Sequence, residues 1–283
     1  MGQLVQMISR LLFKPKRPKP QREPAAVPPG TVVWAVGDIH GRLDLLNPLL
    51  DHLMEDLRAS AAGRKVIVFL GDYIDRGPDS KGVLDRLVEV AADTAVEARF
   101  IRGNHEERMM AFLEDSTVGP SWCEYGGVEA LESYGLHPPA MKHVAQAWGH
   151  VAADLDHRLP KSHRHLLENL EPAVSIGGYF FTHAGARPGV PLDAQSERDL
   201  MWIRGSFLDD AGAFEKVVVH GHTPARDVHR DHRRIGVDTG VYKWNMLSAV
   251  RLEGEAVSFA QSLIGDGGDI LVRRREAPAL AAA

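Results

Sequence analysis

Three apolar runs, each ending in a short polar motif, constrain this chain more than any other feature. Thr31 to Val36 leads into GDIHG, Val66 to Leu70 into GDYIDRG, and Ala98 to Ile101 into RGNHE. The first two runs are β-branched and apolar over the length of a buried strand. The stretch LDLLNPLLDHLMEDLRAS from Leu43, and the segment from about Ser80 to Ala92, carry apolar residues at helical spacing between them. A third such stretch, Glu106 to Glu114, follows the last motif. Asp38, Asp72 and Asn104 recur at intervals of roughly thirty residues, the length of one βαβ unit. The pattern predicts β-α-β-α-β, with every polar motif at the carboxyl end of its strand.

The rest of the chain divides around this unit. Residues 1–29, which include KPKRPKPQREPAAVPP, are basic and rich in proline and read as a solvated tail. A second reading of that segment is weak peripheral contact of residues 1–20 with an anionic membrane surface, through Leu4, Val5, Ile8, Leu11, Leu12 and Phe13 plus the basic side chains. Its apolar part is short and broken by Arg10, which excludes a transmembrane span, and no signal-peptide cleavage pattern follows. Residues 30–262 form the expected folded domain, with a helical insertion at about 115–170 that covers one side of a site. Residues 263–283, ending in RRREAPALAAA, read as a frayed terminal tail. Strands are expected at Tyr179 to Thr182, Lys216 to Val219, Ile235 to Asp238, Leu247 to Leu252 and Ala256 to Phe259. The later ones read as antiparallel additions.

Two of these later strands again end in polar motifs, THAG and HGHT. In open α/β sheets, side chains at the carboxyl ends of strands converge even when far apart in sequence. The residues so placed are Asp38, His40, Asp72, Asn104, His183 and His222. They offer carboxylate, imidazole and amide oxygen without thiolate, a set suited to Mn, Fe, Zn or Co and poorly suited to calcium. Six ligands exceed one tetrahedral zinc and suit two ions sharing a bridging carboxylate, the apparatus for displacement at phosphorus. Cysteine chemistry is excluded: the one cysteine, Cys123, lacks the arginine that a Cys-x5-Arg phosphate loop requires, since Glu129 stands there. A lone cysteine also excludes a disulfide framework and fits a reducing, cytoplasmic setting. A net charge of −5 argues against a nucleic-acid partner.

The motifs GDIHG, GDYIDRG, RGNHE, THAG and HGHT together resemble the phosphoprotein phosphatase family of metallophosphatases. WCEYGGVEALESYG, MWIRGSF and VDTG bring the chain close to its bacterial and bacteriophage serine/threonine phosphatase branch. The resemblance implies an α/β fold, a central β-sandwich flanked by helices (αββα), and two divalent metals, with Mn²⁺ the usual ion. It implies that Asp38, His40 and Asp72 hold one metal, and that Asp72, Asn104, His183 and His222 hold the other. A water or hydroxide shared by the metals would attack phosphorus directly. His105 would protonate the leaving alkoxide with Asp75 behind it, while Arg76, Arg102 and Arg204 would bind the phosphate.

The expected reaction is hydrolysis of phosphoserine or phosphothreonine, with phosphotyrosine also in range. The substrate is then a phosphorylated protein or a small phosphoester, and no obligate partner is evident. Symmetrical diadenosine-tetraphosphate hydrolases resemble the same motif series and stand as the alternative. A non-catalytic phosphoprotein-binding module is disfavoured, because the full set of motif residues is intact. His220 reads as a supporting residue, and Trp122, Tyr125 and Trp148 as insertion core. The histidines at 137, 143, 150, 157, 163 and 165 read as a solvated helical face.

Overall fold

The computed structural model describes residues 24–141 and 144–277. The amphipathic reading of the first residues, the pattern at 1–20 and His143 lie outside the described residues. Among the described residues no helix is long and apolar enough to cross a membrane.

Strand β1 (Thr31–Val36) pairs in parallel with β2 (Arg64–Phe69), and β2 with β3 (Glu97–Phe100). The intervening helices are α1 (Leu43–Ala59) and α2 (Ser80–Ala92), and α3 (Asn104–Glu114) follows β3. On the other side of β1 the chain adds β9 (Met246–Glu253), β10 (Ala256–Ile264) and β11 (Ile270–Glu276), all antiparallel. The first sheet therefore runs β11-β10-β9-β1-β2-β3. The second runs β4-β5-β6-β8-β7, from β4 (Ala173–Ile176), β5 (Tyr179–Thr182), β6 (Val217–His220), β7 (His229–Arg230) and β8 (Arg234–Gly236).

The period-two alternation of side chains explains the layers. In β1, Val33 and Ala35 face the second sheet and pack with Val68, Phe181, Val219, Val250 and Phe259. Val32, Trp34 and Val36 point the other way, onto Leu45, Leu49 and Leu53 of α1 and Leu84 and Leu87 of α2. On the outer face of the second sheet, Phe180 and Val218 pack on Leu200, Ile203 and Phe207. These residues come from α8 (Glu197–Trp202), the segment after it, and α9 (Gly205–Leu208). The four layers are helix, sheet, sheet, helix.

Residues 115–170 hold the short helices α4 (Gly119–Trp122) and α5 (Val128–Ser133), then α6 (Ala145–Arg158) and α7 (Lys161–Glu168). Between α4 and α5 the chain makes a π turn, Cys123–Gly127, whose Gly126 has φ 111°. Trp122 and Trp148 are buried here against Phe112.

Five expectations need correction. Tyr125 is not insertion core: its ring is exposed and lines a cavity. Residues 263–276 are not a tail: β10 runs on to Ile264, and β11 pairs with it along its whole length. Arg273, Arg274 and Arg275 bond Gln261, Asp56 and Asp227, so a charged stretch is held as a strand by its partners. The N-terminal tail stops short of residue 29, because Val27 is buried and its N–H bonds Gly254 O, while Ala26 O accepts from Gly178 N. Strand β8 is parallel to β6, not an antiparallel addition. His163 is not on a solvated face: it is buried between the Tyr134 hydroxyl at 2.8 Å and Asp85 at 2.9 Å.

Candidate metal centre

The carboxyl ends of β1, β2, β5 and β6, with the start of α3, meet at one edge of the two sheets. Asp72 stands at the middle. Its Oδ2 lies 3.6 Å from His40 Nε2 and 3.9 Å from His105 Nε2, and its Oδ1 lies 3.4 Å from His183 Nε2. Two compact groups of donor atoms result, His40–Asp72–His105 and Asp72–His183–His222, and Asp72 belongs to both. Asn104 joins the second group through Oδ1, 3.0 Å from His183 Nε2. Asp38 lies in neither, but its carboxylate accepts the His222 backbone N–H and faces the same charges.

The backbone is bent to bring these side chains inward. Among the described non-glycine residues, positive φ occurs at His40, Asp72, Asp75, Arg76, His222 and Asn245, and all but Asn245 belong to the predicted site. Such conformations cost of order 1–3 kcal/mol each and persist only when the surroundings enforce them. The enforcement is visible. Glu106, buried, accepts the N–H groups of Asp72, Tyr73 and Gly103 at 2.8–3.0 Å and clamps the GDYIDRG turn onto α3. At Gly221 a Cβ would collide with Asp38 Oδ1, so only glycine lets the HGHT turn pass.

Hydrogen bonds on the outer ring nitrogens fix how the imidazoles point. His40 Nδ1 and His183 Nδ1 lie 3.0 and 2.8 Å from the Ile74 and Leu70 carbonyl oxygens, so both donate outward and aim Nε2 at the centre. The His183 Nε2 faces three polar atoms at once: Asn104 Oδ1, Asp72 Oδ1, and His222 Nδ1 at 3.1 Å. One proton can satisfy only one of them well; a divalent cation satisfies several.

The charges lead to the same conclusion. Burial, then the Asp238 charge, raises Asp38 well above the usual carboxylate range. Burial and Asp72 push Asp238 up to about 6 and Glu106 to about 7. Burial opposes a charge on His183, but Asp72 outweighs it and raises that imidazole to about 9. Buried carboxylates that repel one another, with imidazole nitrogens turned toward them, fit a site for divalent cations with oxygen and nitrogen ligands.

His105, whose Nε2 belongs to the first group, is held from its other nitrogen by Asp75, Nδ1 to Oδ2 at 2.6 Å. Trp122 donates its indole N–H to the same Oδ2 at 2.8 Å, so the insertion's core tryptophan also orients Asp75. Burial lowers His105, but Asp72 and Asp75 outweigh it and hold the imidazole above its usual value. A cavity of about 180 Å³ opens next to it, with His105, Arg76 and Arg204 in its walls.

The three predicted arginines separate. Arg76 bonds His40 Nε2 at 2.8 Å and stacks at 4.4 Å over the Tyr242 ring. Arg204 Nε donates to His222 Nε2 at 3.0 Å. Arg102 turns away from the cavity, toward Leu170 O and Glu197 at 3.6 Å. His220 stands apart from the donors; burial drives it down to about 3, and it packs edge-on against Phe207.

Residues 31–248 match the family described as calcineurin-like phosphoesterase. The chain belongs to that family. It is a metallophosphoesterase, a hydrolase of phosphate esters or anhydrides. It is 40% identical to serine/threonine-protein phosphatase 1 of Salmonella typhimurium, across 78% of this chain and 92% of that one. It is 27% identical to the asymmetrical bis(5'-nucleosyl)-tetraphosphatase PrpE of Oceanobacillus iheyensis, across 80% and 90%. A crystal structure described as a putative diadenosine tetraphosphatase shares the fold, with a TM-score of 0.52, 21% identity and coverage of 89% and 99%.

Glu106, Trp122 and Asp238 also neighbour the candidate site; the sequence reading gave the first and last no role and took Trp122 only as insertion core. Asp238 had a usable signal, because it follows β8 as Asp38 follows β1. Glu106 stands three residues into α3 from Gly103, where a glutamate returns to the preceding N–H groups. The insertion also reaches Arg76 through Gly126, whose carbonyl accepts the Arg76 backbone N–H at 3.0 Å. A Cβ there would meet Arg76 Cγ at 2.5 Å. Gly126→Ala is therefore expected to displace Arg76 and raise KM for a phosphomonoester by roughly tenfold, the loss of one charge-assisted contact. Steady-state kinetics with para-nitrophenyl phosphate check this, and an unchanged KM would contradict it.

Proposed function

We propose that this protein is a metal-dependent phosphomonoesterase acting on phosphoserine and phosphothreonine side chains, with phosphotyrosine also accepted. The observation that carries the reading is the His105–Asp75 pair at the wall of a side-chain-sized cavity beside the shared carboxylate Asp72. Two divalent cations, Mn²⁺ foremost, fit the donors and when bound supply Lewis-acid stabilisation and a lowered pKa for the attacking water.

In this reading Asp38, His40 and Asp72 hold one cation, and Asp72, Asn104, His183 and His222 the other. Arg76 and Arg204 would grip the phosphate oxygens on leaving the His40 and His222 rings that the cations would take, with Tyr242 still under the Arg76 guanidinium. Arg102 would join them on leaving Glu197. His105 keeps Nδ1 on Asp75 and gives the Nε2 proton to the leaving oxygen. Asp75, held by Trp122, keeps that ring oriented and favours its protonated form.

The cavity size supports a side chain over a dinucleotide, since pockets that enclose drug-sized ligands run to roughly 300–1,000 Å³. The 40% identical relative named as a serine/threonine phosphatase supports the same choice. Dinucleoside polyphosphate hydrolysis is the second reading, favoured by the PrpE relative. Turnover of a phosphoserine peptide, para-nitrophenyl phosphate and diadenosine tetraphosphate is to be compared in Mn²⁺, Fe²⁺, Co²⁺ and Zn²⁺. Higher kcat/KM for the peptide is expected, and a strong preference for the dinucleotide would reverse the assignment.

A further inference from the structure

Three guanidiniums line the cavity, those of Arg76, Arg108 and Arg204, and no carboxylate does. Two are engaged on its metal side, Arg76 with His40 and Arg204 with His222. Arg108 is the one left over. Among the described residues it makes no hydrogen bond; its nearest carboxylate oxygen, Glu107 Oε2, is 3.9 Å from Nε, beyond hydrogen-bond reach. Its guanidinium instead rests 5.4 Å over the Trp202 ring. A guanidinium held on an aromatic face keeps its N–H edges available, and its planar fork matches a carboxylate.

Helix geometry says which part of a substrate this cation meets. Arg108 follows His105 by three positions and Asn104 by four, so all three lie along one face of α3. His105 faces the leaving oxygen in the function proposed above, and Arg108 sits one turn beyond it. In that function the cavity takes the phosphorylated side chain, and the rest of the substrate lies on the rim. The exposed groups there include Tyr125 at 67%, Trp202 at 36% and the Arg108 side chain at 44%, with Ser121 and Arg204 exposed as well. A phosphate dianion has its own cations in Arg76, Arg204 and the metals. A further cation past the leaving group serves a second anion.

We propose that Arg108, steadied by Trp202, is a specificity-determining residue that reads an acidic side chain next to the phosphorylated residue. The preferred substrates are then acidic phosphopeptides. This inference rests on the reading of the site as a protein phosphatase.

The test uses the full chain with Mn²⁺ and three phosphoserine peptides that differ only in carrying Glu, Gln or Lys beside the phosphoserine. For wild type, kcat/KM is expected to fall in the order Glu, Gln, Lys, by roughly fivefold across a partly exposed ion pair. Arg108→Gln is expected to flatten the series and Arg108→Glu to reverse it. Salt at about 0.5 M is expected to compress it in wild type. The proposal is overturned if Arg108→Glu keeps the wild-type order, or lowers all three peptides equally, which would mark a structural role. Turnover of the peptides without any order overturns this inference alone. Turnover of para-nitrophenyl phosphate or diadenosine tetraphosphate with no turnover of peptides overturns the protein-phosphatase reading, and this inference with it.

Discussion

Replacing His105 by asparagine is expected to lower kcat for a phosphoserine peptide by about 10²–10⁴-fold, the range spanned by a positioned general acid. The same variant is expected to lose less than about tenfold on para-nitrophenyl phosphate. The difference comes from the leaving group. A serine alkoxide is a strong base and leaves poorly without a proton, whereas nitrophenolate is stable as the anion. A residue that merely shaped the site would depress both substrates together, so the ratio of the two losses is the diagnostic quantity. Comparable losses on both substrates would remove His105 from the role of acid.

Asp75→Asn is expected to fall between wild type and His105→Asn. The 2.6 Å bond from His105 and the 2.8 Å bond from the Trp122 indole meet on one buried carboxylate oxygen. Loss of its charge weakens a charge-assisted bond by about 1.5–3 kcal/mol, or roughly 10- to 100-fold in rate. An amide can still accept from Trp122, so the site keeps its shape.

How much of this was legible in the sequence depends on which physical signal each residue carries. Asp38, Asp72, Asn104, His183 and His222 follow apolar runs, and the rule that strand ends converge brings them together without knowledge of the sheet order. The order itself was not legible. Strand β8 reads Arg-Ile-Gly, too short to show a period, and only its register with β6 makes it parallel. In β11 the arginines hide a strand, since what holds them is Asp56, Gln261 and Asp227, all remote in sequence. Trp122 read correctly as insertion core, but its second role depends on Asp75, which lies 47 positions away and which no local pattern links to it. The phosphate-binding role assigned to Arg102 came from its motif, whereas its side-chain direction is set by Leu170 and Glu197. Arg108 carried no motif at all; its interest comes from the cavity around it.

The largest expected effect comes from Asp72, the one carboxylate shared by both donor groups. Asp72→Asn is expected to reduce turnover by about 10³-fold or more, because metal stabilisation of the transition state is worth several kcal/mol. The substitution is chosen so that misfolding cannot explain the loss. Asp72 has φ 53°, a conformation that asparagine tolerates better than most residues. Its Oδ1 accepts the His105 N–H at 3.1 Å, a bond that an amide oxygen can keep. What the amide cannot do is supply a charged bridge between two cations. A second readout separates binding from chemistry. In wild type, metal at about 100 times its Kd is expected to stabilise the fold by about 2.7 kcal/mol, raising Tm by several degrees for a domain of this size. In Asp72→Asn most of that shift should vanish, while the Tm measured in chelator stays near wild type. Asn104, His183 and His222 remain, so a residual shift marks weaker binding at the second group alone. Retention of both the full metal-induced shift and turnover within about tenfold of wild type would show that Asp72 bridges nothing, and the two-cation reading would fall with it.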